Sequence, residues 1–264
     1  MGLRPAEAGE YFAPTARRDS VLRERERWLA DDLSTYAAEM PGTEPAIDET
    51  RDFLAELGLP IPAWPPDADT ASKLRTLGSA VEQDLAWLHA DAEGTHLLTG
   101  GVVCFPSLWA LTEKLGRPIR EVHAPVPKLD EQLGRQIDSF LAKLEPGAAW
   151  TRENWSPACD AELNHHPSHK LGAIVDIPTA DQIWIRLEHQ LLLRLPRSRA
   201  VLFAIHIDPV PLATVLRERA TADRLLRLLE TMAPDAVAYK RLHNARDGIL
   251  RIVRDAAGGG MAGS

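Results

Sequence analysis

The segment IWIRLEHQLLLRLP, residues 183–196, alternates between two kinds of side chain, and this constrains the fold more than any other part of the sequence. In an extended strand, the odd-numbered residues 185–195 would share one face, and all of them except His189 are apolar. The opposite face would carry Arg186, Glu188, Gln190, Leu192 and Arg194. The turn PRSR and the apolar run AVLFAIHI, residues 200–207, follow. The sequence therefore predicts two neighbouring antiparallel strands here.

Helical periodicity surrounds these strands. The sequence predicts helices over about 16–39, 45–57, from 70 onward, 129–144, 221–232 and beyond 239. It also predicts two further strands, over 84–89 and 96–105, and a loop over 150–181. Ser107 is a possible cap for a short helix in LWALTEKL. This mixture predicts an α+β fold. We expect one domain over residues 1–255, with residues 1–80 as a helical extension and residues 256–264 as a disordered tail.

The overall charge excludes some classes of protein. The 264 residues carry a net charge of −8, and an acidic chain is poorly suited to binding phosphates without specificity, so we expect no nucleic-acid partner. No run of 18 apolar residues suggests a membrane span, and no apolar run follows a basic start, so we expect a cytoplasmic protein. Cys104 and Cys159 do not form a disulfide framework, and Cys104 reads as a small core residue.

Three groups of residues are candidates for chemistry. His123 precedes APVP, so we expect a stiff, extended backbone that fixes the position of its imidazole. Two interpretations are open: His123 is a ligand of a metal or haem iron, or it is a structural turn residue. The polar face of residues 186–194 either faces water or lines a cavity, where Glu188 could hold a cationic amine. His165 and His169 have the spacing of helical metal ligands, but Pro167 lies between them.

Several segments together resemble the haem-dependent oxidative N-demethylase family, over nearly the whole chain and in the family's order. They are GLRP (2–5), EQDL (82–85), VVCFPSLWALTEKLGRPIREVHAPVP (102–127), NWS (154–156), RLEHQ (186–190), RLPRS (194–198), AVLFAI (200–205) and YK (239–240). The resemblance implies a PAS-like fold with a five-stranded antiparallel sheet and bound haem b. It also implies oxidation of a small amine by O2, with electrons from a separate flavin and iron–sulfur reductase.

The resemblance also implies roles for residues. His123 becomes the expected proximal haem ligand, with His206 as its rival, and Glu188 becomes the amine-facing acid. The further pocket candidates are Arg186, Gln190, Asn154, Trp155 and, as partners of the haem propionates, Arg117, Arg135 and Arg194. This chain departs from the family pattern at His189, at Leu191 and Leu193, and at residues 205–208, which puts the substrate in doubt more than the cofactor.

Three functions therefore stand as hypotheses. The first is a haem monooxygenase acting on a carbon next to an amine nitrogen, or on the nitrogen itself. The second is a haem-binding gas or redox sensor, although the sequence shows no output domain and no coiled-coil linker. The third keeps the fold without haem, as an interaction module in which His123 is a turn residue. The sequence does not identify the amine, the reductase or the oligomeric state.

Overall fold

The computed structural model of the chain describes residues 2–122, 131–169, 171–172, 174, 179–240 and 242–258, and for residues 131–135 and 239 the backbone alone. An antiparallel sheet of seven strands forms its centre, in the order β1-β5-β6-β7-β3-β4-β2. The strands are β1 Arg4–Ala6, β2 Ala37–Glu39, β3 Asp84–Ala90, β4 His96–Val102, β5 Ala149–Ala158, β6 Trp184–Arg194 and β7 Val201–Pro211. With helices before, between and after the strands, the fold is α+β, as the sequence predicted.

Twelve α-helices are present in the described part of the chain. They are α1 Ala8–Tyr11, α2 Arg18–Asp31, α3 Leu33–Tyr36, α4 Glu44–Glu56, α5 Thr70–Ala80, α6 Leu111–Lys114, α7 Ile119–Val122, α8 Glu131–Lys143, α9 Leu212–Val215, α10 Arg219–Glu230, α11 Pro234–Tyr239 and α12 Arg246–Gly258. The last helix includes residues 256–258, which were expected in the tail, and residues 259–264 lie outside the described residues. None of the described helices is long and apolar enough to cross a membrane.

The sheet has five long strands and two short ones. Strands β3 to β7 are 7 to 11 residues long, and they match the five-stranded sheet that the resemblance implied. Strands β1 and β2 have three residues each and lie at the two edges, where β1 pairs with β5 and β2 with β4. The sheet is thus wider than expected because both edges gain a strand from the N-terminal region.

Strands β6 and β7 fix two distinct faces of the sheet. Their register pairs Glu188 with Ile207, and Leu191 with Ala204. Because directly paired residues project to the same side, one face carries the even-numbered residues of β6, and we name it the Glu188 face. The other carries the odd-numbered residues, and we name it the Leu191 face. The N-terminal helices cover the end of the Leu191 face where Leu191 and Leu193 are fully buried in the largest apolar cluster, and the C-terminal helices cover the other end, at Ile185.

The turn between β6 and β7 is anchored to this helical layer. The buried carboxylate of Glu49, on α4, accepts hydrogen bonds from the backbone N–H groups of Arg197 and Ser198, both at 2.6 Å. These bonds satisfy turn donors that β-ladder pairing leaves free. The turn, and with it the register of the two strands, is therefore held by the same helices that cover the Leu191 face.

Three local predictions were wrong. The expected loop at 150–181 begins with strand β5, which pairs with β6 over ten residues. Beyond Thr151 this strand lies at the edge of the sheet, and its polar side chains hide the alternation of apolar and polar residues that would predict a strand. The expected helix 16–39 ends at Asp31, because Asp32 caps α3 instead. The helix expected after Ser107 shrinks to α6, and the Ser107 hydroxyl bonds elsewhere.

Candidate functional site

The carboxylate of Glu188 is the centre of a buried polar cluster on the Glu188 face. The Glu188 residue is 8% exposed, and its carboxylate accepts three hydrogen bonds from neutral groups. Ser107 Oγ donates to Oε1 at 2.6 Å, Gln190 Nε2 donates to Oε2 at 2.7 Å, and Asn154 Nδ2 donates to Oε2 at 3.3 Å. In the part of the chain that the structure describes, no basic side chain forms an ion pair with Glu188.

The sheet register explains why these donors converge. Asn154 on β5 pairs directly with Glu188 on β6, and Gln190 is the next residue of β6 on the same face. Ser107 comes from the segment that follows β4, and an isolated bridge pairs it with His165. Two strands and one connecting segment therefore contribute the polar groups, and Ser107 is a site residue that sequence reasoning assigned to a helix cap.

Arg186 holds the connecting segments in place rather than facing open space. Its guanidinium donates to the carbonyl oxygens of Phe105 and Leu163, both at 2.7 Å, and to that of Glu162 at 3.0 Å. Its Nε also donates to Ser107 Oγ at 2.9 Å. Burial lowers the pKa of Arg186 to about 10, although attraction to Glu188 opposes this shift. Arginine only donates, so the Ser107 hydroxyl accepts from Arg186 and is free to donate its proton to Glu188.

A buried ion pair supports the same connecting segment. Asp84 accepts hydrogen bonds from the backbone N–H groups of Cys104, at 2.7 Å, and Phe105, at 3.0 Å. The guanidinium of Arg25 lies 2.7 Å from the Asp84 carboxylate. Burial raises the pKa of the Cys104 thiol to about 12, so this cysteine stays a protonated core residue, as predicted. The ion pair therefore fixes the chain just before Ser107.

Lys240 places a second cation near the cluster. Its Nζ donates to the carbonyl oxygen of Trp155 and lies 4.6 Å from the centre of the Trp155 ring. Burial lowers the pKa of Lys240, and attraction to Glu188 opposes this shift. Trp155 itself is buried in the cluster beneath the C-terminal helices. The dipeptide YK was noticed in the sequence, but nothing in its spacing assigned Lys240 to the site.

The two alternatives for the polar residues of β6 are thus distinguished by burial. Their exposed fractions are at most 8% for Arg186, Glu188, Gln190 and Arg194. Arg194 donates from Nη1 to the carbonyl oxygen of Arg199 at 2.6 Å and from Nη2 to that of Leu141. Its buried Nε has no partner in the described part of the chain. The strand therefore contributes its polar side chains to the interior and not to a solvated surface.

The remaining candidates lie between residues 117 and 135, and the structure describes the side chain of only one of them, Arg117. Arg117 is exposed, and its described hydrogen bonds are made by its backbone alone: its carbonyl oxygen accepts from the N–H of Leu98, and its N–H donates to the carbonyl oxygen of Lys114. His123 and the side chain of Arg135 lie outside the described residues. The two helices on either side of His123 are α7 and α8, and both contribute apolar residues to the cluster on the Glu188 face: Ile119 from α7 and Leu141 from α8.

His206 projects from the opposite side of the sheet. It pairs with His189 on the Leu191 face, and their ring centres are 6.2 Å apart. Burial lowers the pKa of His206, and its Nδ1 has no partner in the described residues. The cleft beside it has a volume of about 220 Å³, lined by residues that include Thr15 and Arg17. This volume is below the roughly 300–1,000 Å³ of ordinary small-molecule pockets.

The histidines of NHHPSH each contact a different neighbour. His165 Nε2 lies 2.9 Å from Asp160 Oδ1, His166 Nδ1 lies 2.7 Å from Ser168 Oγ, and His169 Nε2 lies 3.1 Å from the Tyr36 hydroxyl. Across the described ranges, no group of three or more histidine, cysteine or acidic side chains is arranged to hold a metal ion. The helical spacing of His165 and His169 is not realised, because these residues lie in irregular backbone.

A comparison with protein families matches most of the chain to a known group. The model of the family described as "Haem-dependent oxidative N-demethylase, alpha subunit-like" matches residues 56–250, well over half of the chain. The matched range contains strands β3 to β7, every residue of the Glu188 cluster, from Ser107 to Gln190, and the nearby Lys240. The chain therefore belongs to the haem-dependent oxidative N-demethylase alpha-subunit-like family.

Proposed function

We propose that this protein is a haem-dependent monooxygenase that oxidises a small amine next to its nitrogen, and that Glu188 binds the amine. The observation that carries this proposal is the buried Glu188 carboxylate, which has three neutral donors and no ion-pair partner in the described residues. A buried carboxylate with no basic side chain in direct contact favours a cationic ligand, because attraction is strong where water is excluded. A small ammonium ion has this charge.

Two features of the Glu188 face support haem binding. Apolar side chains that are only partly buried pack against the apolar cluster on this face; they include Phe140, Trp150, Leu192 and Phe203. Beside them, the unpartnered Nε of Arg194 is a donor suited to a carboxylate such as a haem propionate. We assign the iron to His123, following the family resemblance, and Arg194 to a propionate. When bound, haem b supplies the site at which O2 is activated, with electrons from a separate flavin and iron–sulfur reductase.

Around that group, the protein's own side chains bind and orient the amine. Glu188 accepts a hydrogen bond from an N–H group of the ammonium. When the amine reacts in the neutral form, the Glu188 carboxylate can hold the proton that the ammonium has released. Gln190 and Asn154 hold one carboxylate oxygen, and Ser107 holds the other, so the acceptor is fixed before the substrate arrives. Arg186 acts through Ser107 and the carbonyl oxygens, and we regard it as a positioning residue.

The expected products follow from the position of oxygen insertion. Insertion at an N-methyl carbon gives a carbinolamine, which collapses to the smaller amine and formaldehyde. Among the departures from the family pattern, Ile207 pairs directly with Glu188, so this position favours an amine other than the simplest dialkylamine, whereas His189 and His206 lie on the opposite face of the sheet. Oxidation of the nitrogen itself would give a hydroxylamine and no formaldehyde, so the product distinguishes the two outcomes.

The test combines spectra with product analysis. Protein purified with added haem is given a reductase, O2 and a panel of amines, and formaldehyde is measured. Glu188→Gln is expected to lower kcat/KM about 10²-fold and leave the Soret band unchanged, because the substitution removes a charge and keeps the shape. Glu153→Gln is the matched control, since this partly exposed glutamate of β5 lies on the other face and pairs with Arg4.

Two results would contradict the proposal. Full turnover in Glu188→Gln would remove this residue from the mechanism. A wild-type protein without a Soret band would exclude the oxygenase altogether. Comparison of His123→Ala with His206→Ala tests the ligand, because we expect loss of the Soret band in the first variant alone.

A further inference from the structure

A cluster of aromatic side chains contacts one of the segments that Arg186 holds in place. Tyr36 is 3% exposed, and its ring centre lies 5.8 Å from that of Trp28. The ring of His169 lies 4.9 Å from Trp28, edge to face, and that of His166 lies 5.7 Å from Tyr36. Rings at these distances pack favourably, and the hydrogen bonds of the cluster also place a proton acceptor next to the Tyr36 hydroxyl.

The direction of the Tyr36 hydrogen bond follows from its neighbours. Asn164 Oδ1 accepts from the backbone N–H of His166 at 2.9 Å, which directs Asn164 Nδ2 to the Tyr36 hydroxyl, also at 2.9 Å. The hydroxyl therefore accepts from Asn164, and its own proton is available for His169 Nε2 at 3.1 Å. We place the ring proton of His169 on Nδ1, which lets Nε2 accept this hydrogen bond as a base in contact with the phenol.

The cluster is joined to the Glu188 site through the segments that Arg186 clamps. Asn164 follows Leu163, whose carbonyl oxygen accepts from Arg186. The carbonyl oxygen of Tyr36 accepts from the N–H of Val103, two residues before Phe105, whose carbonyl oxygen also accepts from Arg186. Two short covalent and hydrogen-bonded paths thus connect the phenol with the residues around Glu188.

Trp28 lies on the side of Tyr36 that leads toward solvent. It is half-buried, whereas the next residue toward the N-terminus, Arg27, is exposed and places its guanidinium 4.5 Å from the centre of the Trp28 ring. An electron can therefore reach Tyr36 from the surface through an indole that contacts both members of the phenol–imidazole pair.

We propose that Tyr36, His169 and Trp28 form a redox relay that reduces an oxidised cofactor when no amine is bound. This inference rests on the proposed function, because the haem centre is the oxidant. One electron leaves Tyr36 for that oxidant, and the phenol proton moves to His169 Nε2, which leaves a neutral tyrosyl radical and an imidazolium. Trp28 then returns an electron to Tyr36, the proton goes back to the phenol oxygen, and a thiol or another reductant in solution reduces Trp28.

Physical reasons favour this role for Tyr36. Burial raises the pKa of Tyr36, so the phenol keeps its proton at neutral pH and must release it when it is oxidised. A base within hydrogen-bond reach makes that transfer local. Tyr11 provides the contrast: its hydroxyl donates to the carbonyl oxygens of His189, at 2.7 Å, and Ala204, at 2.9 Å, and carbonyl oxygens do not take up the proton.

The experiment oxidises the purified 264-residue chain with a photogenerated ruthenium(III) polypyridyl complex and records the radical by electron paramagnetic resonance. The chain has three tyrosines, so Tyr→Phe variants at positions 11, 36 and 239 assign the signal. We expect a tyrosyl signal that is lost in Tyr36→Phe and retained in Tyr11→Phe, the matched control. A signal that survives in Tyr36→Phe, or no tyrosyl signal in the wild type, would overturn the relay.

Two further variants test the relay even if Tyr36→Phe does not fold. His169→Gln, at a half-buried position, should lower the radical yield several-fold, and Trp28→Phe should lengthen the lifetime of the tyrosyl radical. An unchanged yield in His169→Gln would show that the imidazole takes no part. The photochemical result does not need haem, so a relay that is absent and an oxygenase that is absent give different outcomes. In haem-loaded protein treated with peroxide, Tyr36→Phe should bleach the Soret band faster than Tyr11→Phe.

Discussion

The two faces of strand β6 are both buried, yet they contain different kinds of side chain. On the Leu191 face, Leu191 and Leu193 are 0% exposed and pack against the N-terminal helices. On the Glu188 face, Arg186, Glu188 and Gln190 are 1%, 8% and 7% exposed and are joined by hydrogen bonds. Neighbouring residues of one strand thus enter two different interiors, one apolar and one polar.

The difference teaches how stability and chemistry are separated in this fold. Each fully buried leucine contributes about 1.5–3 kcal/mol through the removal of apolar surface from water. A buried polar network contributes little net stability, but breaking it leaves charges or dipoles without partners, which is costly. The Leu191 face therefore stabilises the sheet, whereas the Glu188 face must be kept complete.

The largest effect is expected when the clamp of the Glu188 face is removed. Arg186→Leu leaves three carbonyl oxygens and the Ser107 hydroxyl without their donor, so we expect a loss of about 3–5 kcal/mol in the free energy of unfolding. Denaturant unfolding measures it. The control is Arg4→Leu, which removes an exposed ion pair with Glu153 and should cost less than about 1 kcal/mol. Equal stability of Arg186→Leu and wild type would mean that the clamp is dispensable.

The next effect compares the faces directly. Leu193→Ala should lower the free energy of unfolding by about 2–5 kcal/mol, because it leaves a cavity in a fully buried position. Leu192→Ala, one residue away on the Glu188 face, should cost less because Leu192 is only partly buried. Its effect should fall on the haem spectrum instead. If both variants lose the same stability and keep the same spectrum, the two faces do not differ as described.

A smaller effect is expected at the hydroxyl between the two charged residues. Ser107→Ala breaks the hydrogen bonds to Arg186 and Glu188, which should cost about 1–3 kcal/mol in the free energy of unfolding. It should also lower kcat/KM, since Glu188 loses one of its three donors. Ser156→Ala is a suitable control, because Ser156 pairs with Arg186 on the same face and its hydroxyl has no hydrogen bond in the described part of the chain. Identical kinetics in both variants would show that Ser107 does not position Glu188.

The smallest effect concerns pH and the Leu191 face. Burial lowers the pKa of His206, so the unfolded chain takes up this proton at about pH 6.5, before the folded protein does. Because the unfolded state binds more protons in this window, stability is complete above about pH 6.5 and is lost as the pH falls toward the folded pKa. His206→Gln should reduce that loss by about 1 kcal/mol or less, as measured by urea unfolding across this range.

Other groups add to the same pH dependence and must be separated from His206. Burial is also the main cause that lowers the pKa of four more histidines: His89, His96, His165 and His166. Carboxylates such as Asp52, whose pKa Arg197 lowers, lose their contribution at lower pH, below about 4. If the unfolding curves of His206→Gln and wild type coincide at every pH, the imidazole is not protonated on unfolding.

The sequence was sufficient where the pattern is local. Alternation in residues 183–196 placed β6 within two residues of its observed ends and put Glu188 and Leu191 on opposite faces. Strand β5 was missed because its partner strands, and not its own composition, make it a strand. Ser107 and Lys240 were not assigned to the site, because each reaches it from a distant segment. The buried state of Arg186 also depends on carbonyl oxygens from two segments that no spacing in the sequence connects.

The pairing of β6 with β7, continuous over eleven residues, has a practical consequence for protein engineering. A shift of one residue in this pairing would exchange the two faces and remove the apolar side chains from the interior. The register is therefore stabilised by the burial of these side chains and by the turn that Glu49 anchors. Leu192, an even-numbered position outside the hydrogen-bonded network, can therefore be varied in a library while the odd-numbered positions and the residues around Glu188 are left unchanged. One strand thus offers a position for selection within a fixed scaffold.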